Sequence, residues 1–256
     1  MQLDVALVQS PLEWENPEAN RLRFSALIEP LRGATDLIVL PEMFSSGFTM
    51  DPHHLPREEA GKTLEWMQRE AAAANAAIAG SLVWPHEAGY FNRFVFMEPD
   101  GNYHTYDKRH TFTLAGEDKV YDRGSRNLRI EFRGFAFRPQ VCYDLRFPVW
   151  SRNTDDYDAL IYVANWPEAR IAAWDTLLRA RAIENMAFVL GVNRLGSDPN
   201  GLGYVGHTAV YDGLGKTLGY SEEEEVVRVR LNREALLDTR RQLRFLNDRD
   251  AFTPGW

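Results

Sequence analysis

One cysteine, Cys142, is all the chain contains. An intramolecular disulfide is therefore excluded, and so is a metal site built on several thiolates. Positive charge is also in short supply: 29 Lys and Arg against 37 Asp and Glu leave a formal net charge of −8. A nucleic-acid binder is expected to show a basic excess or a basic stripe, so no nucleic-acid partner is expected. Short basic clusters, such as residues 238–244, read as the solvated face of a C-terminal helix. No apolar run approaches the roughly 20 residues that cross a bilayer. The first residues, Met1-Gln2-Leu3-Asp4-Val5, lack the basic start and apolar stretch of a secretion signal. The expectation is a cytoplasmic protein with no membrane partner.

What is present suits a globular chain. It has 256 residues, 45% of them hydrophobic, enough for a sizeable core without covalent staples. Strand-like apolar runs at 5–9, 36–40, 76–84, 92–98, 135–142, 160–164, 188–192 and 225–231 are interleaved with helical spacing at 16–31, 63–75, 174–186 and 233–243. Glu98-Pro99-Asp100-Gly101-Asn102 and Asp212-Gly213 mark hairpin turns. This alternation predicts an α/β layered fold rather than segregated α+β. No linker, repeat or low-complexity tract interrupts it, and one domain is expected over 1–256.

Three short segments carry candidate chemistry. Cys142 closes a strand and opens into the polar run Tyr143-Asp144-Leu145-Arg146; strand ends are where α/β folds build sites. Taken alone, a lone cysteine is more often an inert core residue. Glu42 ends the strand Leu37-Ile38-Val39-Leu40-Pro41 among Met43 and Phe44. Desolvation there would make a carboxylate a better proton acceptor, whereas a solvated loop Glu is the plainer reading. Lys108, in Tyr106-Asp107-Lys108-Arg109-His110, is either a surface lysine or a fixed ammonium facing developing negative charge. Glu117, within Ala115-Gly116-Glu117-Asp118, is a weaker candidate still. Cysteine hydrolases more often use a His base, but His53, His54, His86, His104, His110 and His207 lack a context for it, and loop exposure explains most of them. On chemistry alone a Cys/His pair and a Cys/Glu/Lys set rank similarly.

Together the segments resemble the motifs of the nitrilase (carbon–nitrogen hydrolase) superfamily. The glutamate motif is Leu40-Pro41-Glu42-Met43-Phe44, the lysine motif 106–112 and the nucleophile motif Val141-Cys142-Tyr143-Asp144-Leu145-Arg146-Phe147-Pro148. Their order and spacing match, and the likeness extends through 179–185 and 206–210. The resemblance implies an α-β-β-α sandwich that pairs with a second copy into a homodimer or a larger homo-oligomer. It implies Glu42 as base, Lys108 as oxyanion stabiliser and Cys142 as nucleophile, with no metal or organic cofactor. The backbone N–H of Tyr143 would share the oxyanion. Glu117 would be a supporting residue, or else a surface acid in an acidic loop.

Residues 142–153 and 162–167 look most like the bacterial ω-amidase branch, which hydrolyses the terminal amide of 2-oxoglutaramate and 2-oxosuccinamate. An anionic substrate needs a local cation in so acidic a chain. Arg146 is a candidate carboxylate ligand, although an ion pair with Asp144 is the reading slightly preferred. Asn165 and Trp166 follow a strand and are expected at the pocket wall, Trp166 equally in the core. Trp14, Phe44, Phe48 and Trp150 are further candidates for the lining or for packing over the core, and the helix at 174–186 for a subunit contact or for intramolecular core. The rivals are another amidase, a carbamoylase or a nitrilase with the same triad, and a binding protein that kept the fold. An active thiol is expected to have a lowered pKa and to alkylate fast below neutral pH.

Overall fold

A computed structural model describes residues 1–252. The first half builds one sheet: β1 (Gln2–Gln9), α1 (Pro17–Ile28), β2 (Leu37–Val39), α2 (Glu59–Ala74), β3 (Ala77–Pro85), β4 (Tyr90–Met97) and β5 (Tyr103–Asp107). A second sheet follows, with β6 (Ile130–Phe132), β7 (Phe135–Val141), α3 (Pro148–Ser151), β8 (Ala159–Val163), α4 (Ile171–Asn185) and β9 (Phe188–Val192). Next come a small ribbon of β10 (Leu195–Ser197) and β11 (Gly203–Val205), then β12 (Thr208–Tyr211) and β13 (Thr217–Ser221). The chain finally returns with β14 (Glu225–Asn232) and α5 (Arg233–Leu243).

The strand orders are β14-β1-β2-β3-β4-β5 and β13-β12-β9-β8-β7-β6. β1, β2 and β3 run parallel, as do β7, β8 and β9, while hairpin partners flank them antiparallel. Alternate side chains of a strand point to opposite faces, and three apolar layers follow. Val5, Leu7, Val39 and Phe96 meet Phe137, Ile161 and Leu190 between the sheets. Ala6, Val8, Ile38 and Ile78 face Phe24, Ile28, Trp66 and Met67 of α1 and α2. Leu160, Tyr162 and Val189 face Trp174, Leu178 and Ala182 of α4. The result is the α-β-β-α sandwich.

Local signals explain the helix ends. Asn16 caps α1 by accepting from Ala19 N, with Pro17 in the first turn. Asn232 caps α5 in the same way through Ala235 N. α2 starts four residues ahead of the sequence expectation, because Ala60 and Thr63 continue the buried stripe of Trp66, Met67, Ala71 and Ala74. It ends at Asn75, which takes the left-handed conformation at φ 49°. Strands β6, β10 and β11 escaped the sequence reading because each is three residues long.

Two expectations are corrected by packing. The basic cluster at 238–244 is not wholly solvated. α5 lays Leu236 into the core between the sheets, and this turns Arg240 inward. Its guanidinium donates to Met186 O at 2.8 Å and Tyr157 O at 2.7 Å. Phe44 and Trp150 do not line a pocket. Phe44 packs edge-on to Phe24 beneath α2, and Trp150 joins the core between the sheets, donating its indole N–H to Tyr106 Oη.

Candidate active site

Strands from both sheets end at one place. β2 delivers Glu42 three residues after its close at Val39, β5 delivers Lys108, β7 delivers Cys142 and β8 delivers Asn165 and Trp166. The segments after β2 and β7 bend through left-handed residues, Met43 at φ 44° and Cys142 itself at φ 46°. Such a conformation costs a side-chain-bearing residue about 1–3 kcal/mol and persists only where surroundings enforce it. Around Met43 the enforcement is Ser81 Oγ, which accepts from Met43 N at 2.9 Å. Around Cys142 it is Asp144, whose buried carboxylate accepts from Val141 N, Tyr106 Oη, His110 N and the His110 ring. Asp144 thus ties the cysteine turn to the lysine segment. A close approach shapes that segment too: Gly124 N donates to Lys108 O, and a β-carbon on Gly124 would lie 1.9 Å from Asp107 O.

At the centre lies an enclosed charge cluster. Glu42, Lys108 and Glu117 are each 0% exposed. The Lys108 ammonium donates to Glu42 Oε1 and to both oxygens of Glu117, all at 2.9 Å. Glu42 also accepts from Asn92 Nδ2 at 2.8 Å and from Asn165 N at 2.8 Å. Glu117 accepts further from Asn92 Nδ2 and from Phe112 N. Burial alone would depress the lysine pKa, but the carboxylates of Glu117 and Glu42 outweigh it and raise it, keeping the ammonium charged. Burial raises the Glu117 carboxyl against the pull of Lys108, with Glu42 adding like-charge repulsion. Two carboxylates thus share one cation.

Cys142 is half-buried and lines the cavity. Burial and then the Glu42 charge push its thiol pKa well up, and Lys108 opposes this without cancelling it. Burial thus works against the lowered thiol pKa expected of an active site, and the thiol lies beside the Glu42 carboxylate. No histidine lines the cavity among the described residues, so Cys142 faces Glu42 and Lys108 rather than an imidazole.

The cavity above has a volume of about 430 Å³. Trp14 and Phe48 line it as expected, with Tyr143, Arg146, Asn165 and Trp166. Asn165 chiefly serves Glu42, since its Nδ2 donates to Glu42 O at 2.6 Å. Trp166 is both wall and core, 3% exposed. Arg146 makes no ion pair among the described residues. Its preferred pairing with Asp144 fails because that carboxylate points inward to Tyr106 and His110. The guanidinium instead lies 5.1 Å over the Trp166 ring. Glu117 is no surface acid. Sequence reasoning missed Asn92, whose signal was an amide at an inward position of the apolar strand β4.

A model of the carbon–nitrogen hydrolase family matches residues 4–241. The chain belongs to this family. As a carbon–nitrogen hydrolase it acts on bonds other than peptide bonds. It is 43% identical over 254 residues to the "Omega-amidase YafV" of Escherichia coli K12, covering 98% of each chain. It is 28% identical over 254 residues to the "2-oxoglutaramate amidase" of Bacillus subtilis, covering 97% of this chain and 98% of that one. The crystal structure of XC1258 from Xanthomonas campestris superposes over all of both chains with a TM-score of 0.97 and 43% identity; that protein is described as a CN-hydrolase superfamily member with an arsenic adduct in the active site. No helix among the described residues is long and apolar enough to cross a membrane.

Proposed function

We propose that this carbon–nitrogen hydrolase is an ω-amidase, releasing ammonia from the terminal amide of small 2-oxo acids such as 2-oxoglutaramate and 2-oxosuccinamate. The observation that carries the amide chemistry is the enclosed Glu42–Lys108–Glu117 cluster facing Cys142 below a cavity of about 430 Å³. Relatives named omega-amidase and 2-oxoglutaramate amidase support the substrate class.

Glu42 accepts the Cys142 proton as the sulfur attacks the amide carbon. With burial holding the thiol pKa up, the nucleophile is made as it is used. The oxyanion of the tetrahedral intermediate faces Lys108 and the backbone N–H of Tyr143. Loss of one such donor typically costs on the order of 100-fold or more in rate. Glu42 passes its proton to the departing nitrogen, ammonia leaves, and a thioester remains on Cys142. Glu42 then takes a proton from water, whose oxygen attacks the thioester; the acid departs and the thiol is restored. Water is the one co-reactant required. Glu117 and Asn92 hold Lys108 and Glu42 in place, and Arg146 faces the substrate carboxylate. The whole chain acts as one catalytic domain, in the cytoplasm, as a homodimer or larger homo-oligomer.

The test is ammonia release from 2-oxoglutaramate, glutamine and a simple nitrile by the wild type and by Cys142→Ala. Release from 2-oxoglutaramate, abolished by the substitution, is the expected result. Preference for the nitrile would move the chain to another branch, and no release from any of them would favour a binding protein on the same fold.

A further inference from the structure

The mouth of the cavity holds a second cation that the ω-amidase reading does not yet use. Arg170 lines the same cavity as Arg146. It sits in the short 3-10 turn Glu168–Arg170 after β8. Its guanidinium lies 5.1 Å over the Phe112 ring and makes no ion pair among the described residues. The two arginines are linked through shared aromatic residues. Arg146 lies over Trp166, and Trp166 Nε1 donates to Arg170 O at 2.8 Å. Arg170 lies over Phe112, and Phe112 meets Tyr143 edge-on at 4.9 Å. Tyr143 and Arg146 stand three residues apart in one turn. Cations and rings thus alternate around the opening.

A guanidinium resting on an aromatic face is held in place while its N–H edge stays available. Nearby acids leave that edge free. Asp198 is occupied by Asn200 N, Leu202 N and Tyr204 Oη. Asp51 is exposed at the rim, where water screens it. Two unpaired guanidinium edges facing one cavity suit an anion with more acceptors than one fork can satisfy. A 2-oxo carboxylate has three in a row: two carboxylate oxygens and the ketone oxygen.

We propose that Arg170 is a specificity-determining residue that, with Arg146, grips the 2-oxo carboxylate end of the substrate while the amide end reaches Cys142. This rests on the ω-amidase reading for its substrate, but the cation pair can be probed without turnover. In a Cys142→Ala background, binding of 2-oxoglutarate, the hydrolysis product, is measured by calorimetry with Arg170, Arg170→Gln and Arg170→Lys. Loss of a charge-assisted contact predicts on the order of 10- to 100-fold weaker binding for Gln, with Lys in between because it lacks the fork. In the active enzyme, the kcat/KM ratio of 2-oxoglutaramate to pentanamide falls by a similar factor for Arg170→Gln, mainly through KM. The carbonyl that holds Trp166 belongs to the backbone and survives either substitution. Equal binding by Arg170 and Arg170→Gln overturns the proposal, as does no detectable binding in the Cys142→Ala background alone. Arg170-dependent binding without any ammonia release from 2-oxoglutaramate would keep the clamp and sink the ω-amidase reading.

Discussion

Lys108 at the floor of the cavity and Arg170 at its mouth are both cations over an aromatic ring, Phe48 for the first and Phe112 for the second, each at 5.1 Å. Their surroundings are otherwise opposite. Lys108 is fully enclosed and spends its donors on two carboxylates. Arg170 is partly exposed and meets no carboxylate among the described residues. A buried charge must be paired to be tolerated, so the floor is a closed and reciprocal set, the same for any amide that reaches it. The mouth keeps unspent donors, which is what discrimination among substrates requires. In the proposed reading, chemistry is fixed where the Lys108 donors are spent, and selectivity resides where the Arg170 donors are left free.

The sharpest way to break the contrast is Lys108→Met. It removes the proposed oxyanion cation and leaves Glu42 and Glu117 enclosed together. We expect activity to fall by at least the ~100-fold of a lost oxyanion donor, and stability by about 3–5 kcal/mol for the broken buried pair. The stability loss should depend on pH. The folded Glu117 carboxyl already holds its proton more tightly than the ordinary value of 4.5, and losing Lys108 raises it further. The folded state then binds more protons than the unfolded one, so stability falls as pH rises from near 4.5 through the folded value. Urea midpoints at pH 5 and pH 8 should differ, with the variant weaker at pH 8; no difference would mean the two carboxylates are not both charged and enclosed.

Glu117→Gln is a milder perturbation of the same floor. Every group pointing at Glu117 is a donor: Lys108, Asn92 Nδ2 and Phe112 N. An amide there sets N–H against N–H. The expected stability cost is about 1–3 kcal/mol, with kcat reduced on the order of 100-fold as the ammonium loses its placement. Thermal melts and steady-state rates check both, and an unchanged kcat would make the residue structural only. Tyr143→Phe should do least. Its hydroxyl makes no hydrogen bond among the described residues, and its proposed role runs through the backbone. A change of about twofold or less in kcat is expected; a collapse would transfer the oxyanion role to the hydroxyl.

These cases also explain what the sequence could and could not reveal. Glu42, Lys108 and Cys142 were legible because each ends or follows an apolar strand, and together they form three ordered motifs. The layered fold was legible through its alternating periods. Glu117 and Asn92 were not decidable, because their roles come from the crossing of β4, β5 and the loop after β5 around one ammonium. Arg146 was read toward Asp144 from proximity along the chain, whereas the turn sends the two side chains to opposite sides. Phe44 and Trp150 sit beside the Glu42 and Cys142 motifs in sequence yet point into apolar layers. Arg170 is silent in sequence, since only the fold lays it over Phe112.

The pairing of β1 with β14 has a consequence for how the molecule is made. Gln2 sits opposite Asn232 and Gln9 opposite Glu225, so one edge of β1 stays open until nearly the whole chain has been synthesised. At ribosomal speeds that wait is on the order of 10–50 seconds. Throughout it, the apolar run Val5-Ala6-Leu7-Val8 offers an unpaired strand edge, the kind that invites pairing with another nascent chain. Translation rate and chaperone supply, rather than the stability of the finished sandwich, would then set how much of this protein reaches its native form.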